Sequence, residues 1–327
     1  MKCTNRKTSL LLAVIIVVST LFTGCTNKEF TKEYDITNTD YAYNIINSSE
    51  NLTAKPFATD ICVVSNNVMS DTVNSALSEA AALFDVNSHE VLYANNATEK
   101  LYPASLTKVL TALIALEKGN LDDVITCTKN VEIQEAGAQL CGFKEGDQIT
   151  LEQALHGMLM YSGNDAAVAI AEYISGSVED FATLMNEKAA SIGATNSHFV
   201  NPNGLSDEDH YTTVYDLYLI FKEAIKNDKF LEIINLDSWP TTYTLADGST
   251  KDITFKTTNL FLKGTVSAPE GVTVIGGKTG TTAAAGSCLI LVSQDEAGDP
   301  FISVILKAEN RSVLYTQMTD ILGEINK

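Results

Sequence analysis

Apolar and polar positions along this chain change their spacing several times, and each change marks an element. After an apolar run from Leu10 to Val18, residues 25–58 are rich in Asn, Thr, Ser, Tyr and charge, with no sustained apolar period. Such a segment suits a tether. Between Ala80 and Tyr93, two apolar runs are broken by Asp85-Val86-Asn87-Ser88, which predicts a hairpin of buried strands. Pro103-Ala104-Ser105 then opens a run to Glu117 with few polar positions, the pattern of a buried helix with proline in its first turn. Thr150 with Gln153 makes a capping box before a second helix, and Ser177 with Asp180 starts another that runs to Ala190. Thr212 or Thr213 can cap a further helix to about Ile225.

Strand-like segments return at Thr241–Leu245, Ile253–Phe255, Val272–Ile275, Ser287–Ser293 and Phe301–Lys307, followed by a last helix from Val313 to about Asn326. Strands, a block of helices, then strands and a helix predict an α+β body. The helical insertion falls at about 103–240, inside a body that spans 59–327.

A length of 327 residues with 45% hydrophobic composition supports a sizeable core and excludes disorder throughout. The net charge is −19, and without the three cations of the first 24 residues it is −22. A surface this acidic repels nucleic acid and disfavours a polyanionic substrate, although it serves solubility equally well. The leader itself carries chemistry. Lys2, Arg6 and Lys7 precede the apolar run, and Leu21-Phe22-Thr23-Gly24-Cys25 closes it, the three-part build of an export signal. It resembles a bacterial lipoprotein signal, which implies cleavage after residue 24 and a diacylglycerol on the Cys25 sulfur. An uncleaved span is the alternative, but about 14 apolar-leaning residues fall short of the roughly 20 a bilayer needs. Either reading places the body outside the membrane.

Cys62, Cys127, Cys141 and Cys288 remain beyond the leader, and a Cys127–Cys141 disulfide is open in an exported chain. These two flank a segment that reads as two short strands joined by a loop. With no CxxC pair and no HExxH helix around His89, His156, His198 or His210, neither a metal nor another cofactor is expected.

Three short motifs carry the candidate chemistry. Ser105 and Lys108 stand three residues apart at a helix start, so hydroxyl and amine share one face and the amine can take the serine proton. A capping Ser followed by a solvated Lys is the ordinary meaning of that spacing, but Lys108 lies in a run too apolar for a solvated face. Ser162-Gly163-Asn164 sits between two helical patterns and offers a hydroxyl, an amide acceptor and two donors. Ser49-Glu50-Asn51 and Ser65-Asn66-Asn67 share its form, so it gains weight only from its company. Lys278-Thr279-Gly280-Thr281 continues the strand-like run from Val272. Gly280 lets another backbone approach, while Lys278 and Thr279 can meet a carboxylate. A phosphate loop is excluded because no Gly stands at 272.

Together, in this order, the motifs resemble the penicillin-binding and serine β-lactamase superfamily, whose signatures are SxxK, SxN and KTG. Tyr102 to Lys108, Ser162 to Ala167, Asn201 to Leu205 and His210 to Asp216 narrow the resemblance to the low-molecular-weight D-alanyl-D-alanine carboxypeptidases, over about residues 75–327. The resemblance implies a transpeptidase-like fold, with an antiparallel sheet flanked by helices. It also implies release of the terminal D-alanine from peptidoglycan stem peptides through an acyl-enzyme, without a cofactor, and inhibition by β-lactams. Ser105 would then be the nucleophile, Lys108 its base and Ser162 a proton donor to the leaving group. Asn164, Lys278, Thr279, Gly280 and Thr281 would bind substrate, the amides of Ser105 and Thr281 forming the oxyanion hole.

In two places the chain departs from that pattern. Gly276-Gly277 replaces a frequent polar residue, and Arg311 fits poorly the offset of the family's carboxylate-binding arginine, so it stays outside the expected site. Two rivals remain, a serine β-lactamase and a non-catalytic penicillin-sensing or wall-binding module. The first lacks its deacylating ExxLN loop, since Ala182 stands where the Glu preceding Asn186 would fall. The second would need neither Ser105 nor Lys108. A triad hydrolase is poorer still, for want of a GxSxG elbow.

Overall fold

The computed structural model describes residues 60–327. The leader, the lipidation candidate Cys25 and the 25–58 tether lie outside the described residues. β1 (Ser78–Asp85) and β2 (Val91–Asn95) form the expected hairpin, and β1 pairs on its other side with β9 (Pro300–Ala308). With β8 (Gly286–Gln294) and β7 (Thr273–Thr282) they complete an antiparallel five-stranded sheet in the order β2-β1-β9-β8-β7. The central strands are apolar on both faces because each face covers a core. Ala80, Ala82 and Phe84 of β1 point into one, with Ile290, Val292, Ile302 and Val304, whereas Ala81 and Leu83 point into the other, with Leu289, Leu291 and Ile305. The second core is closed by α7 (Arg311–Leu322), whose Leu314, Met318 and Ile321 are buried.

The first core continues into the helical region. A 3-10 turn (Ala104–Thr107) leads into α1 (Lys108–Lys118), buried without interruption from Lys108 to Ala115. Around it pack α2 (Leu151–Leu159), α3 (Asn164–Ser175), α4 (Val178–Ser191), α5 (Val214–Ala224) and α6 (Asp228–Asn235). Local chemistry sets their starts. The Thr150 hydroxyl accepts from Gln153 N–H while the Gln153 side chain accepts from Thr150 N–H, and Ser177 and Thr213 cap α4 and α5 by accepting from the third residue on. Each such cap is worth about 1 kcal/mol.

Two features differ from the sequence reading. The strands near Cys127 and Cys141 lie outside that pair: β3 (Val124–Thr126) and β4 (Gln148–Thr150) join β5 (Ser238–Thr244) and β6 (Thr250–Lys256) in a second sheet of order β3-β4-β5-β6. Residues 127–141 instead hold a 3-10 turn at Lys129–Val131 and loop. The open disulfide is not formed, for Cys62, Cys127, Cys141 and Cys288 are all buried free thiols. Burial pushes the Cys127 and Cys288 thiols up to about 12, which leaves them protonated and unreactive. Among the described residues no helix is long and apolar enough to cross a membrane.

Candidate active site

The three motifs converge at the seam between the five-stranded sheet and the helical region. A cleft of about 470 Å3 there is lined by Ser105, Ser162, Asn164, Thr279, Gly280 and Thr281, among others. Lys108 and Lys278 lie buried just behind the wall, 0% and 1% exposed. All eight protein-site residues expected from sequence thus meet in one place.

The Lys108 amine sits 2.8 Å from Ser105 Oγ, 2.6 Å from Asn164 Oδ1 and 2.6 Å from the Asn203 carbonyl oxygen. Burial, followed by repulsion from Lys278, holds this amine well below the usual lysine range, against a smaller opposing pull from Asp165. In its neutral form the amine can donate its two N–H groups to Asn164 and Asn203 and keep its lone pair for the Ser105 hydroxyl proton. Lys278 Nζ donates to Ser162 Oγ at 2.9 Å and to the Thr279 carbonyl at 2.7 Å, and burial brings its amine down to about 7.

Backbone shape sets these positions. Ala104 has φ 48 and Ser162 has φ 68, left-handed values that L-residues avoid, and each belongs to the sharp turn that turns a reactive hydroxyl into the cleft. The Ala104 turn is held from below. Thr107 Oγ1 donates to the Ala104 carbonyl at 2.9 Å and pairs with His210 Nε2 at 2.8 Å, while His210 Nδ1 accepts from Val200 N–H at 3.2 Å. Burial lowers the His210 imidazole to about 4, so the ring is neutral with its proton on Nε2, and it donates to Thr107. On the other side of the turn, Gly204 at φ 83 packs so closely that a Cβ there would lie 1.8 Å from the Ala104 oxygen. Gly204→Ala is therefore expected to cost about 3 kcal/mol or more in denaturant unfolding and to slow acylation of Ser105. An alanine variant of unchanged stability and labelling rate would show that residue 204 does not brace the turn. Gly280 has a matching role on β7, where a Cβ would come within 2.9 Å of the Ser105 nitrogen.

Several contributors were not legible in sequence. Arg311, held aside above, is the first residue of α7; it lines the cleft and donates from Nη2 to the Thr258 carbonyl at 2.6 Å. Thr258 Oγ1 in turn lies 2.6 Å from Thr279 Oγ1. The missed signal was Asn310, whose side chain accepts from Val313 N–H and caps α7 two residues earlier than the apolar pattern implied. Asn203 contributes a backbone carbonyl, which has no residue signature. Asp165 pins the loop over the cleft, its carboxylate accepting the N–H groups of Cys141, Gly142 and Phe143 at 2.9, 2.7 and 3.1 Å.

A model of the D-alanyl-D-alanine carboxypeptidase family matches residues 65–310. The chain belongs to that family. It is 34% identical over 253 residues to the D-alanyl-D-alanine carboxypeptidase DacF of Bacillus subtilis, an alignment covering 75% of this chain and 61% of that protein. To the D-alanyl-D-alanine carboxypeptidase DacC of Escherichia coli it is 31% identical over 249 residues, covering 73% of this chain and 59% of that one. The chain thus spans about three fifths of the length of these curated relatives. In fold it is similar to the Streptomyces K15 DD-transpeptidase, with a TM-score of 0.71 and 26% identity over 79% of this chain and 98% of that one. This agrees with the transpeptidase-like, antiparallel α+β architecture expected from the motifs.

Proposed function

We propose that this family member is a serine-type D-alanyl-D-alanine carboxypeptidase that acts outside the membrane on peptidoglycan stem peptides, tethered by residues 25–58 to a lipid on Cys25. The observation that carries the reading is a buried Lys108 amine, held well below the usual lysine range by burial and by Lys278, 2.8 Å from the Ser105 hydroxyl. A non-catalytic binder has no need of that pair.

In the proposed reaction Lys108 takes the Ser105 proton as Oγ attacks the carbonyl carbon of the penultimate D-alanine. The carbonyl oxygen gathers charge between the N–H groups of Ser105 and Thr281. The C–N bond then breaks as the proton that Lys108 took from Ser105 is relayed through Ser162 to the leaving nitrogen, which leaves Lys108 neutral again and Lys278 charged. Free D-alanine departs while Thr279 and Arg311 hold its carboxylate. Water, deprotonated by Lys108, releases the acyl group. A β-lactam presents a similar carboxylate and a strained amide, so it acylates Ser105 and leaves slowly.

Asn186 argues against the β-lactamase reading. Its side chain pairs with both backbone groups of Phe199 at 2.8 Å, and Ala182 supplies no carboxylate, so the deacylating device of those enzymes is missing here. Incubation with a fluorescent penicillin and with a pentapeptide stem tests the proposal. A stable adduct together with D-alanine release supports it, whereas rapid drug turnover, or neither signal, defeats it.

The pH profile should be bell-shaped. Lys108 must be neutral, so acylation falls as pH drops through its lowered pKa; Lys278 must stay charged beside the bound carboxylate, so the rate also falls as pH rises beyond about 7. A rate that climbs steadily to pH 10 would mean that the Lys278 charge is not used.

A further inference from the structure

Two full charges lie in the cleft wall. Arg311 stands at the end marked by Thr258 and Thr279, and Glu135 lines the same cleft from the loop that precedes Gln139. The proposed chemistry orients a substrate between them. If the terminal carboxylate rests at Thr279 and Arg311 and the scissile carbonyl at Ser105, the acyl chain must run on past Thr281, Thr282 and Ala283, which line the same cleft as Glu135. Glu135 is exposed, and among the described residues its carboxylate has no ion-pair partner.

The loop that carries it is braced. Ala138 N–H donates to the Glu135 carbonyl, Asn164 N–H donates to the Gln139 carbonyl at 2.8 Å, and the Asp165 carboxylate holds the amides of Cys141, Gly142 and Phe143. The carboxylate is thus presented from a wall fixed to the same helix start, Asn164-Asp165, that helps hold Lys108.

We propose that Glu135 forms an acyl-side subsite that selects peptides with a free amino group on the residue preceding the two D-alanines. The inference rests on the carboxypeptidase reading and narrows its substrate class to stems whose side-chain amine has not been acylated. An ammonium group reaching Glu135 forms a partly solvated ion pair, which is worth about three- to fivefold in kcat/KM at low salt. Salt screens the pair, so the preference shrinks at high ionic strength.

The test compares Nα-acetyl-L-lysyl-D-alanyl-D-alanine with its Nε-acetylated form, using the full-length protein and D-alanine release as the readout. Wild type is expected to favour the free amine about three- to fivefold. The ratio should fall to about one in E135Q and invert in E135K, as expected for a partly solvated pair. E187Q, which removes an exposed charge from α4, should keep the wild-type ratio and so separates a local subsite from the general acidic field. Equal rates on both peptides in wild type, or an E135Q variant that keeps the preference, would overturn the subsite and leave the carboxypeptidase reading standing. If neither peptide releases D-alanine, both fall together.

Discussion

Ser105→Ala is expected to abolish the covalent penicillin adduct and to lower D-alanine release at least about 10^4-fold, because no other hydroxyl lining the cleft lies beside an amine whose pKa both burial and a second cation lower. Ser162 is the only near competitor among the lining residues described here, and its partner is Lys278, which burial brings no lower than about 7. The substitution removes one half-buried oxygen and its bond to Lys108, so the thermal midpoint should move by no more than about 4 °C. Mass spectrometry of the labelled protein and a melting curve decide the matter. An adduct that persists in the variant would place the nucleophile elsewhere.

The second large effect is expected from Lys108→Met. Loss of a general base costs about 10^2- to 10^4-fold in acylation. Stability should respond in a way that depends on pH. An amine whose pKa is lowered on folding binds fewer protons in the folded state than in the unfolded one, so it weakens the fold below the folded pKa and ceases to do so above the ordinary lysine value of 10.5. Methionine removes that penalty but leaves the Asn203 carbonyl and Asn164 Oδ1 without their donor. Relative to wild type the variant should therefore gain stability steadily as pH is lowered from 10.5. Denaturant midpoints at pH 5 and pH 9 measure the difference. A variant destabilised by the same amount at both would mean that Lys108 is not driven neutral by its surroundings.

Much of this architecture can be read from local chemistry. Thr150 with Gln153, Ser177 and Thr213 announce helix starts because a cap is satisfied within three residues, and β1, β8 and β9 stand out because a strand buried on both faces is apolar at nearly every position. β3 and β4 escape notice for the opposite reason. Each has three residues with only the middle one buried, and β5, the second partner of β4, lies some 90 positions further on. α6 was missed although Asn227 caps it, since it has only eight residues. The candidate site divides in the same way. Ser105 and Lys108, Ser162 and Asn164, and Lys278 to Thr281 have fixed short spacings that a reader of sequence can find. Asn203, Thr258 and Glu135 reach the cleft only through the course of the backbone, whereas Arg311 is marked only by the cap Asn310 beside it.

The placement of α1 has a practical consequence. Its first residue is Lys108, Ser105 lies in the turn just before it, and α2 to α6 all pack against its sides. Loosening any one of those helices should therefore disturb the turn that aims the hydroxyl, and no stretch of the helical lobe can melt while acylation carries on. The yield of drug labelling along a heating ramp would then serve as a direct assay of how much native protein survives.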